Sequence, residues 1–387
     1  MNPKPLALVL PGVIMMIMMG TIYTWSVFRP YVETQHDLSV TQSGLPYMVS
    51  LVFYALSMMV SGRLMTARNT RMMAVMGSLF IGVGWLLASI TTGLFALSIA
   101  YGVMVGIGVG MVYGVPIYLI QRMCPTRSGL YTGLVLLGFG MSPLFGAPLV
   151  ERMLGIYGVA TTFVGIGVVF LIGLSVCAVW LPRVTQHEAA EAMEAPPHNP
   201  MLFMSMYLLF ALASAIGLMT IGLSYKVGVD YYGYDGRTMA WMVGLFAVCN
   251  GLARPLFGWL MDRRDFAFGA TVSFGLIGVA ALLAMINQGR SPVVFMLSFG
   301  LLWFNLGAWL AMVPAALKRA FGLSGYTRTY GVMFTAYGFG ALGGVWLSGA
   351  MLEVTERTHS VYMAVLTVAI MALGMLAIST RHVLKSS

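Results

Sequence analysis

Charged residues are scarce in this chain of 387 residues, since Asp, Glu, Lys and Arg together make up only 9% of it. A soluble globular domain carries about a quarter of its residues as charged side chains. Hydrophobic residues reach 59%, and the mean hydropathy is +0.88. This composition excludes an ordinary soluble domain and indicates an integral membrane protein.

Cysteine is also scarce, because the chain has only Cys124, Cys177 and Cys249, and no two of them form a CxxC pair. This spacing supports neither a disulfide framework nor a zinc site. The histidines lie at chain ends or in predicted loops, and no nucleotide-binding loop or Ser-His-acid set is present. We therefore expect no enzymatic activity, no catalytic residue, no metal and no cofactor.

Long stretches without Asp, Glu, Lys or Arg occupy most of the chain, and most of them reach the roughly 20 apolar residues that a membrane helix needs. Segment 72–121 is too long for one span and is predicted to turn back at 91–93, which brings the count to twelve. Unpaired backbone amides are costly in lipid, so the spans are predicted to be helices. The uncharged segments are 5–28, 38–62, 72–121, 128–150, 153–182, 195–225, 238–253, 266–289, 291–317, 329–352 and 358–380.

Basic residues are scattered between these runs, so the net charge of +9 indicates contact with a lipid bilayer rather than with nucleic acid. Placing both termini in the cytoplasm puts 14 of the 21 basic residues in cytoplasmic segments, as the positive-inside rule requires. Arg29 and Lys226 are then assigned to outer loops. The short loops favour the inner (plasma) membrane of a prokaryote, and we expect a monomer.

Two sequence echoes indicate that the chain is duplicated. Segment 62–68 is echoed by 258–264, and Arg127 with segment 138–140 is echoed by Arg328 with 338–340. Duplicated halves with a substrate site between them are typical of secondary transporters. The predicted organisation is a six-helix bundle at 1–182, a cytoplasmic linker at 183–199 and a second six-helix bundle at 200–387.

Several of these motifs resemble those of known transporters. Segment 258–264, Gly-Trp-Leu-Met-Asp-Arg-Arg, resembles the cytoplasmic loop motif of the major facilitator superfamily, although Thr66 replaces the acid in the first-half copy. Segments 23–28, 108–114 and 250–258 resemble the oxalate/formate antiporter family and its relatives, the monocarboxylate transporters. The resemblance covers essentially the whole chain. It implies an all-α membrane protein of the major facilitator fold, with twelve transmembrane helices in two pseudo-symmetric six-helix bundles.

Arg254 is predicted to be the basic residue that lies deep inside a span, eight positions before Asp262 and therefore about 12 Å from that helix end. Burying such a charge is expensive, so an intramembrane arginine normally faces a cavity and serves a function. The planar guanidinium can donate two parallel hydrogen bonds to a carboxylate. We predict that Arg254 binds the substrate carboxylate, which is also the role that the resemblance implies.

Asn250 lies one helical turn before Arg254, so both project from one face. The amide is predicted either to orient the guanidinium and touch the ligand or to make a helix–helix hydrogen bond. In animal monocarboxylate transporters the resembling position is an aspartate used in proton coupling, and Asn250 cannot titrate.

Aromatic residues are the other candidate substrate contacts. In the oxalate-binding relatives a lysine occupies the place of Tyr337, so one cation remains here, which favours a monocarboxylate over oxalate. The resemblance and mid-span positions also point to wall residues of the pocket, and ordinary core packing stays open as the alternative for each of them: Tyr337, Phe334, Tyr113, Tyr23, Phe139 and Leu310.

Charged residues near the predicted cytoplasmic ends could form salt bridges that break and re-form during the transport cycle. The same bases could instead only set the topology. The candidate gating residues are Asp262, Arg263, Arg264, Arg127 and Arg328.

Together these features predict a secondary active transporter of a small monocarboxylate of the lactate or pyruvate type, working by alternating access. Its expected partners are a small organic anion and, if transport is proton-coupled, H⁺. Proton symport, anion exchange and uniport stay open, since no buried acid is predicted. The alternatives are an anion exchanger of the oxalate/formate type and a major facilitator drug/proton antiporter, which would more naturally carry an intramembrane acid.

Overall fold

The computed structural model describes residues 5–66, 68–123, 128–182, 199–322 and 326–382, and the described regular elements are all helical. The first half of the described chain, residues 5–182, contains α1 (Pro5–Met19), a 3₁₀ turn (Gly20–Thr24), α2 (Trp25–His36), α3 (Val40–Leu64), α4 (Thr70–Ala88), α5 (Leu94–Leu97), a π-helical segment (Ser98–Val105), α6 (Gly106–Met123) and α7 (Ser128–Trp180). The predicted turn at 91–93 is confirmed, because α4 ends and α5 begins on either side of it.

The second half of the described chain, residues 199–382, contains α8 (Pro200–Lys226), a π-helical turn (Val227–Tyr231), α9 (Gly236–Arg263), α10 (Phe266–Asn287), α11 (Pro292–Phe321), α12 (Tyr326–Thr355) and α13 (Thr358–His382). Of the predicted linker 183–199, all but Asn199 lies outside the described residues.

Polar side chains define where several helices begin. Asp235 accepts a hydrogen bond from the Thr238 amide at the start of α9, and Asp265 does the same for the Phe268 amide at the start of α10. Such a cap satisfies one of the first four helical amides, which have no partner within the helix. These two capping hydrogen bonds therefore stabilise the first turns of α9 and α10.

Ten helical segments of the described chain are long and apolar enough to cross a membrane. One of them, Tyr131–Trp180, has 50 residues and would measure about 75 Å as a straight helix, more than twice the bilayer core. The chain breaks it at Gly158, whose φ of 73° is not helical. The 30-residue α12 is a further long helix. The all-helical membrane architecture is confirmed, and the count of twelve spans stays a prediction.

Two boundaries differ from those predicted. The break in α7 is at Gly158 rather than at the charged pair Glu151 and Arg152. The first span does not stop at residue 28, because α2 continues to His36. Charged residues at these places are tolerated within helices because they lie near helix ends and find polar partners, as Glu151 does with the Tyr31 hydroxyl at 3.0 Å.

The assignment of Arg29 and Lys226 to outer loops is wrong. Arg29 lies in α2 and is 1% exposed, and Lys226 is the last residue of α8 and is 6% exposed. Arg254 is therefore not the only basic residue buried within the helices. We call the end of the molecule that holds Arg29 and Lys226 the predicted outer end, and the opposite end the predicted inner end.

The two halves contact each other mainly through α3 with α12 and through α7 with α9. At the predicted inner end, a Cβ placed at Gly62 would lie 2.8 Å from the Thr327 carbonyl oxygen. At the predicted outer end, one placed at Gly349 would lie 3.0 Å from Thr41 Cα. The two halves therefore approach closely at both ends of the α3–α12 pair.

A ridge of glycines spaced four residues apart forms a packing surface on the π-helical segment and α6. A Cβ at Gly102 would lie 2.7 Å from a Val49 side-chain atom, and Cβ atoms at Gly106 and Gly110 would lie 2.4 Å from the carbonyl oxygens of Ser50 and Tyr54. These distances are shorter than a methyl group allows. The ridge therefore lets α3 approach the π-helical segment and α6, as small residues do in membrane helix pairs.

The repeated Gly-Phe-Gly segments 138–140 and 338–340 do not put their phenylalanines in equivalent surroundings. Phe139 is 1% exposed and faces the space between the halves, whereas Phe339 is 63% exposed. Large exposed apolar side chains of this kind are expected on a lipid-facing surface.

Candidate functional site

Arg254 is buried on α9 between the two halves, with 1% of its surface exposed. Its Nη2 donates a hydrogen bond of 3.2 Å to Asn250 Oδ1, one turn earlier. Its Nε and Nη1 have no hydrogen-bond partner. Among the described residues, no carboxylate lies within the 4.0 Å that defines an ion pair with this guanidinium.

Asn250 holds the arginine in place. Its Nδ2 donates to the Trp303 carbonyl oxygen on α11 at 2.8 Å, while its Oδ1 accepts from Arg254. The Trp303 indole in turn donates to the Ser224 hydroxyl on α8 at 2.8 Å. This chain of hydrogen bonds crosses α9, α11 and α8. It fixes the amide so that its oxygen faces the guanidinium.

A hydrogen bond between Tyr23 and Tyr337 joins the two halves near Arg254. Their hydroxyl oxygens are 2.8 Å apart, and both residues are buried. Tyr23 lies in the 3₁₀ turn that interrupts the first span, and a mid-helix stretch of this kind often marks a functional hinge. Gly20 at the start of that turn permits close packing, since a Cβ there would lie 2.3 Å from the Phe139 carbonyl oxygen.

Aromatic rings surround this group. Tyr54 on α3 is central, with ring centroids 5.3 Å from Tyr113, 5.1 Å from Phe334 and 5.7 Å from Tyr337. The Arg254 guanidinium carbon lies 5.7 Å from the centroid of the Phe139 ring, over its face, in a cation–π arrangement. We define the Arg254 site as Arg254, Asn250, Tyr23, Tyr54, Tyr113, Phe139, Trp303, Phe334 and Tyr337.

Several polar atoms in this enclosure are buried without a partner. They are the Tyr113 and Tyr330 hydroxyls together with Arg254 Nε and Nη1. A buried polar atom that makes no hydrogen bond costs about 1–3 kcal/mol, and a charged one costs more. A buried cation with unused donors in an aromatic enclosure is thus suited to bind an anion.

Gly140 on α7 makes room for the arginine. A Cβ there would lie 2.7 Å from Asn250 Oδ1, 2.9 Å from Gly251 Cα and 3.0 Å from Arg254 Nε. Any larger residue would push against both the backbone of α9 and the guanidinium. The glycine therefore sets how closely α7 and α9 approach at the site.

The structure brings together seven of the eight predicted substrate-contact residues. Leu310 is buried on α11, but none of the hydrogen bonds and ring contacts described above includes it. Tyr54, Tyr330 and Trp303 were missed by sequence reasoning. Tyr54 had no signal beyond its mid-span position, and the contribution of Trp303 comes from a backbone carbonyl, which no residue pattern reveals.

In the part of the chain that the structure describes, no three His, Cys, Asp or Glu side chains form a group that could hold a metal ion. The site offers hydrogen-bond donors and aromatic rings, and a positively charged group at its centre.

The sequence profile of the Major Facilitator Superfamily matches residues 12–225, more than half of the 387-residue chain. The chain belongs to the major facilitator superfamily.

Two relatives are similar to this major facilitator superfamily member over most of its length. It is 24% identical over 357 residues to the oxalate:formate antiporter of Oxalobacter formigenes, covering 89% of this chain and 84% of the relative. It is 25% identical over 317 residues to monocarboxylate transporter 11 of Homo sapiens, covering 76% of this chain and 66% of the relative.

Among solved structures, the fold is similar to a bacterial homolog of the human lysosomal transporter Spinster in an inward-facing and occupied conformation. The TM-score is 0.72 at 14% identity, over 98% of this chain and 97% of that chain. This likeness shows the fold. The family profile and the relatives confirm the resemblance to oxalate/formate and monocarboxylate transporters, and they indicate a multi-pass membrane transporter rather than an enzyme.

The candidate gating residues of this superfamily member form no salt bridge among the described residues. The Arg263 guanidinium lies 4.2 Å from the Trp259 ring centroid, and that of Arg264 lies 5.3 Å from the Phe268 ring centroid. Asp262 and Arg328 are exposed. Arg127 lies outside the described residues. A salt-bridge gate at the predicted inner end is absent from the described residues, and the gating role of these residues stays a prediction.

Replacing Asn250 with Ala is expected to weaken substrate binding by about 10- to 100-fold, since a hydrogen bond to a charged group contributes about 1.5–3 kcal/mol. Binding can be measured by isothermal titration with L-lactate, a substrate of the type that the sequence predicts. Asn305→Ala is the matched control, because Asn305 is also a buried amide, but it bonds Ser273 and the Leu301 carbonyl. Equal losses of affinity in both variants would contradict a specific role for Asn250.

Proposed function

We propose that this protein is a secondary active transporter of a small monocarboxylate of the lactate or pyruvate type, and that Arg254 binds the carboxylate. The observation that carries this proposal is the buried guanidinium with two unpartnered nitrogens and no carboxylate as its ion pair. A substrate carboxylate would supply the missing acceptor and the missing negative charge. The names of the relatives, an oxalate:formate antiporter and a monocarboxylate transporter, point to the same class of substrate.

The site favours one carboxylate over two. Arg254 is the only basic residue among the nine residues of the Arg254 site. The position at which the oxalate-binding relatives are expected to carry a lysine holds Tyr337, whose hydroxyl bonds that of Tyr23. A second carboxylate, as in oxalate, would have to be buried among aromatic rings without a cation, which is costly. A hydroxyl or keto group on the substrate could instead bond the unpartnered Tyr113 hydroxyl.

The site suits alternating access. It lies between the halves, and α3 and α12 pack closely at both ends. The 3₁₀ turn at Gly20–Thr24 gives the first span a hinge at the level of the substrate. We propose that the halves rock about this site in an inner (plasma) membrane, with both termini in the cytoplasm.

Uptake of labelled L-lactate into proteoliposomes tests this function. With an inward proton gradient, we expect uptake above protein-free liposomes, strong competition by unlabelled pyruvate and weak competition by oxalate. Repeating the assay without a gradient separates symport from uniport.

An exchanger of the oxalate/formate type is the second candidate, favoured by the identity to that antiporter. It predicts uptake only when the liposomes are preloaded with anion, and strongest competition by oxalate. A drug/proton antiporter would need a carboxylate for its cationic substrate, and none of the nine residues of the Arg254 site is an Asp or Glu. Absence of uptake under every anion condition would refute a carboxylate transporter.

A further inference from the structure

A cavity lies on the predicted inner side of the Arg254 site, between α3, α6 and α12, and we call it the inner cavity. Its walls include Met58 and Met65 of α3, Gly114 and Ile117 of α6, and Tyr330 of α12. It has room for a group of about the size of one water molecule or one methylene. Because most of these side chains are apolar, the cavity suits a carbon chain better than a charge.

Helical spacing places the inner cavity next to the Arg254 site. On each of its three helices, a wall residue of the cavity is four positions from a ring of the site, toward the predicted inner end. Four positions of α-helix rise about 6 Å, so the cavity begins one helical turn beyond the rings. The pairs of ring and wall residue are Tyr54 and Met58 on α3, Tyr113 and Ile117 on α6, and Phe334 and Tyr330 on α12.

Tyr330 forms the boundary between the inner cavity and the site. It is 3% exposed, and its hydroxyl makes no hydrogen bond. Its ring centroid lies 5.8 Å from that of Phe334, and the Phe334 centroid lies 5.9 Å from that of Tyr113. Tyr330 also interacts electrostatically with Tyr113 and Arg254. The side chain therefore lines the cavity and lies close to the guanidinium.

Two other hydroxyls of the cavity wall already have partners. The Ser61 hydroxyl donates to the Gly110 carbonyl oxygen at 3.2 Å, and the Tyr326 hydroxyl donates to the Pro314 carbonyl oxygen at 3.3 Å. A buried hydroxyl without a partner is unfavourable. An acceptor oxygen on a ligand would satisfy the Tyr330 hydroxyl.

We propose that the inner cavity is a second subsite of the Arg254 site, which receives the carbon chain of a 2-oxo or 2-hydroxy monocarboxylate longer than pyruvate or lactate, and that the Tyr330 hydroxyl binds the oxygen on carbon 2. The inference rests on the proposed function, because Arg254 holds the carboxylate. It names the class of substrate and makes Tyr330 a residue that determines specificity.

Each part of such a substrate meets a surface of matching chemistry. The carboxylate meets the guanidinium, whose planar fork donates to it. A keto oxygen can accept two hydrogen bonds, so the unpartnered hydroxyls of Tyr113 and Tyr330 can serve the same oxygen. The chain beyond carbon 2 then extends toward Met58 and Ile117, where burying a methylene is favourable. The size of the cavity limits this gain to about one added carbon.

The affinities of pyruvate and 2-oxobutyrate test the chain subsite. Both acids carry the keto oxygen, and 2-oxobutyrate has one additional methylene. We expect 2-oxobutyrate to bind the native protein about fourfold more tightly, which is the effect of burying one methylene. Isothermal titration of the detergent-solubilised protein measures both affinities. Equal affinities for the two acids would overturn the proposal.

Replacing Gly114 with Ala narrows the inner cavity by one methyl group, about the size of the added methylene. The new Cβ would lie 3.2 Å from Met65 Cε, which is the flexible end of a side chain, so the variant should fold. It should bind pyruvate as the native protein does and lose the advantage of 2-oxobutyrate. Gly133→Ala on α7 is the matched control, because a Cβ there would meet nothing within 4 Å. An equal advantage in both variants would overturn the proposal.

Replacing Tyr330 with Phe keeps the ring and removes the hydroxyl. Butyrate has the chain of 2-oxobutyrate without the keto oxygen. The preference for 2-oxobutyrate over butyrate should fall by about twofold to tenfold in this variant, the range for one hydrogen bond between neutral groups. Butyrate itself should bind no more weakly, since phenylalanine leaves no unpaired hydroxyl.

Tyr326→Phe is the matched control for Tyr330→Phe. Tyr326 stacks on Tyr330 with ring centroids 5.7 Å apart, but its hydroxyl bonds the Pro314 carbonyl oxygen, so this variant should keep the preference for the keto acid. A purely structural role of Tyr330 would weaken both acids alike. A preference that is unchanged in Tyr330→Phe would overturn the assignment of its hydroxyl to the oxygen on carbon 2.

The same titrations separate this inference from the proposed function. If pyruvate binds the native protein and loses affinity in Arg254→Gln, while 2-oxobutyrate gains nothing over pyruvate, the proposed function stands and the second subsite fails. If the native protein binds none of these acids, the proposed function fails, and the second subsite fails with it.

Discussion

Replacing Arg254 with Gln is expected to weaken carboxylate binding at least about 30-fold, as worked out from a loss of about 2–5 kcal/mol, while making the ligand-free protein more stable to heat. In the ligand-free protein the guanidinium is buried with two nitrogens unpartnered, and a buried charge without a counterion carries a desolvation cost. Glutamine carries no charge, so that cost disappears. Losing one member of a buried charge pair weakens binding by about 2–5 kcal/mol, or about 30-fold to several thousand-fold.

Thermal unfolding in detergent, with and without lactate, measures both effects at once. Native protein should gain stability as ligand is added, whereas Arg254→Gln should start higher and gain nothing. Arg254→Lys is the matched variant: it keeps the charge but loses the planar fork that binds a carboxylate at two points, so it should bind weakly. If Arg254→Gln is stabilised by lactate as much as the native protein, Arg254 does not bind the carboxylate.

Replacing Gly140 with Ala should disrupt the site without changing any residue that could touch substrate. The added Cβ would lie 2.9 Å from Gly251 Cα, and backbone cannot move aside as a flexible side chain can. Overpacking of this kind costs about 1–3 kcal/mol. Because the same Cβ would lie 3.0 Å from Arg254 Nε, we also expect the guanidinium to shift and substrate affinity to fall by about tenfold or more.

Gly155→Ala is the control, since Gly155 lies on the same helix and a Cβ there would meet nothing within 4 Å. Alanine is favoured over glycine in a helix by about 1 kcal/mol, so this variant should be unchanged or slightly more stable. The measurements are the melting temperature and the lactate affinity of each variant. Similar stabilities and affinities for both variants would contradict the close approach at Gly140.

Arg254 and Asn250 were accessible to sequence reasoning because their interaction is local. Residues four apart on a helix share a face, and a charge within a long apolar run is conspicuous. The aromatic wall was only partly accessible. Phe139 came from the resemblance, and Phe334 from its place three residues before Tyr337 on one helix face. Tyr54, which contacts both phenylalanines, could not be distinguished from the other buried tyrosines.

Arg29 and Lys226 show why the ion pair between Lys226 and Glu33 was missed. Each follows an apolar run, and by hydropathy alone a charge at that position reads as the end of a span. Their burial depends on partners that the chain order separates. Lys226 and Glu33 are 193 positions apart, and neither position predicts the other.

The sequence by itself determined that this protein is a helical membrane protein, where most of its helices run, and that a buried arginine lies in the eighth predicted span, because hydropathy and helical spacing act over a few neighbouring residues. Only the tertiary structure decided which hydroxyls and rings surround that arginine and which acid joins the two halves. Tyr23 and Tyr337, 314 positions apart, come together only when the halves pack. Long-range contacts of this kind depend on the relative placement and rotation of whole helices, and no local pattern encodes them.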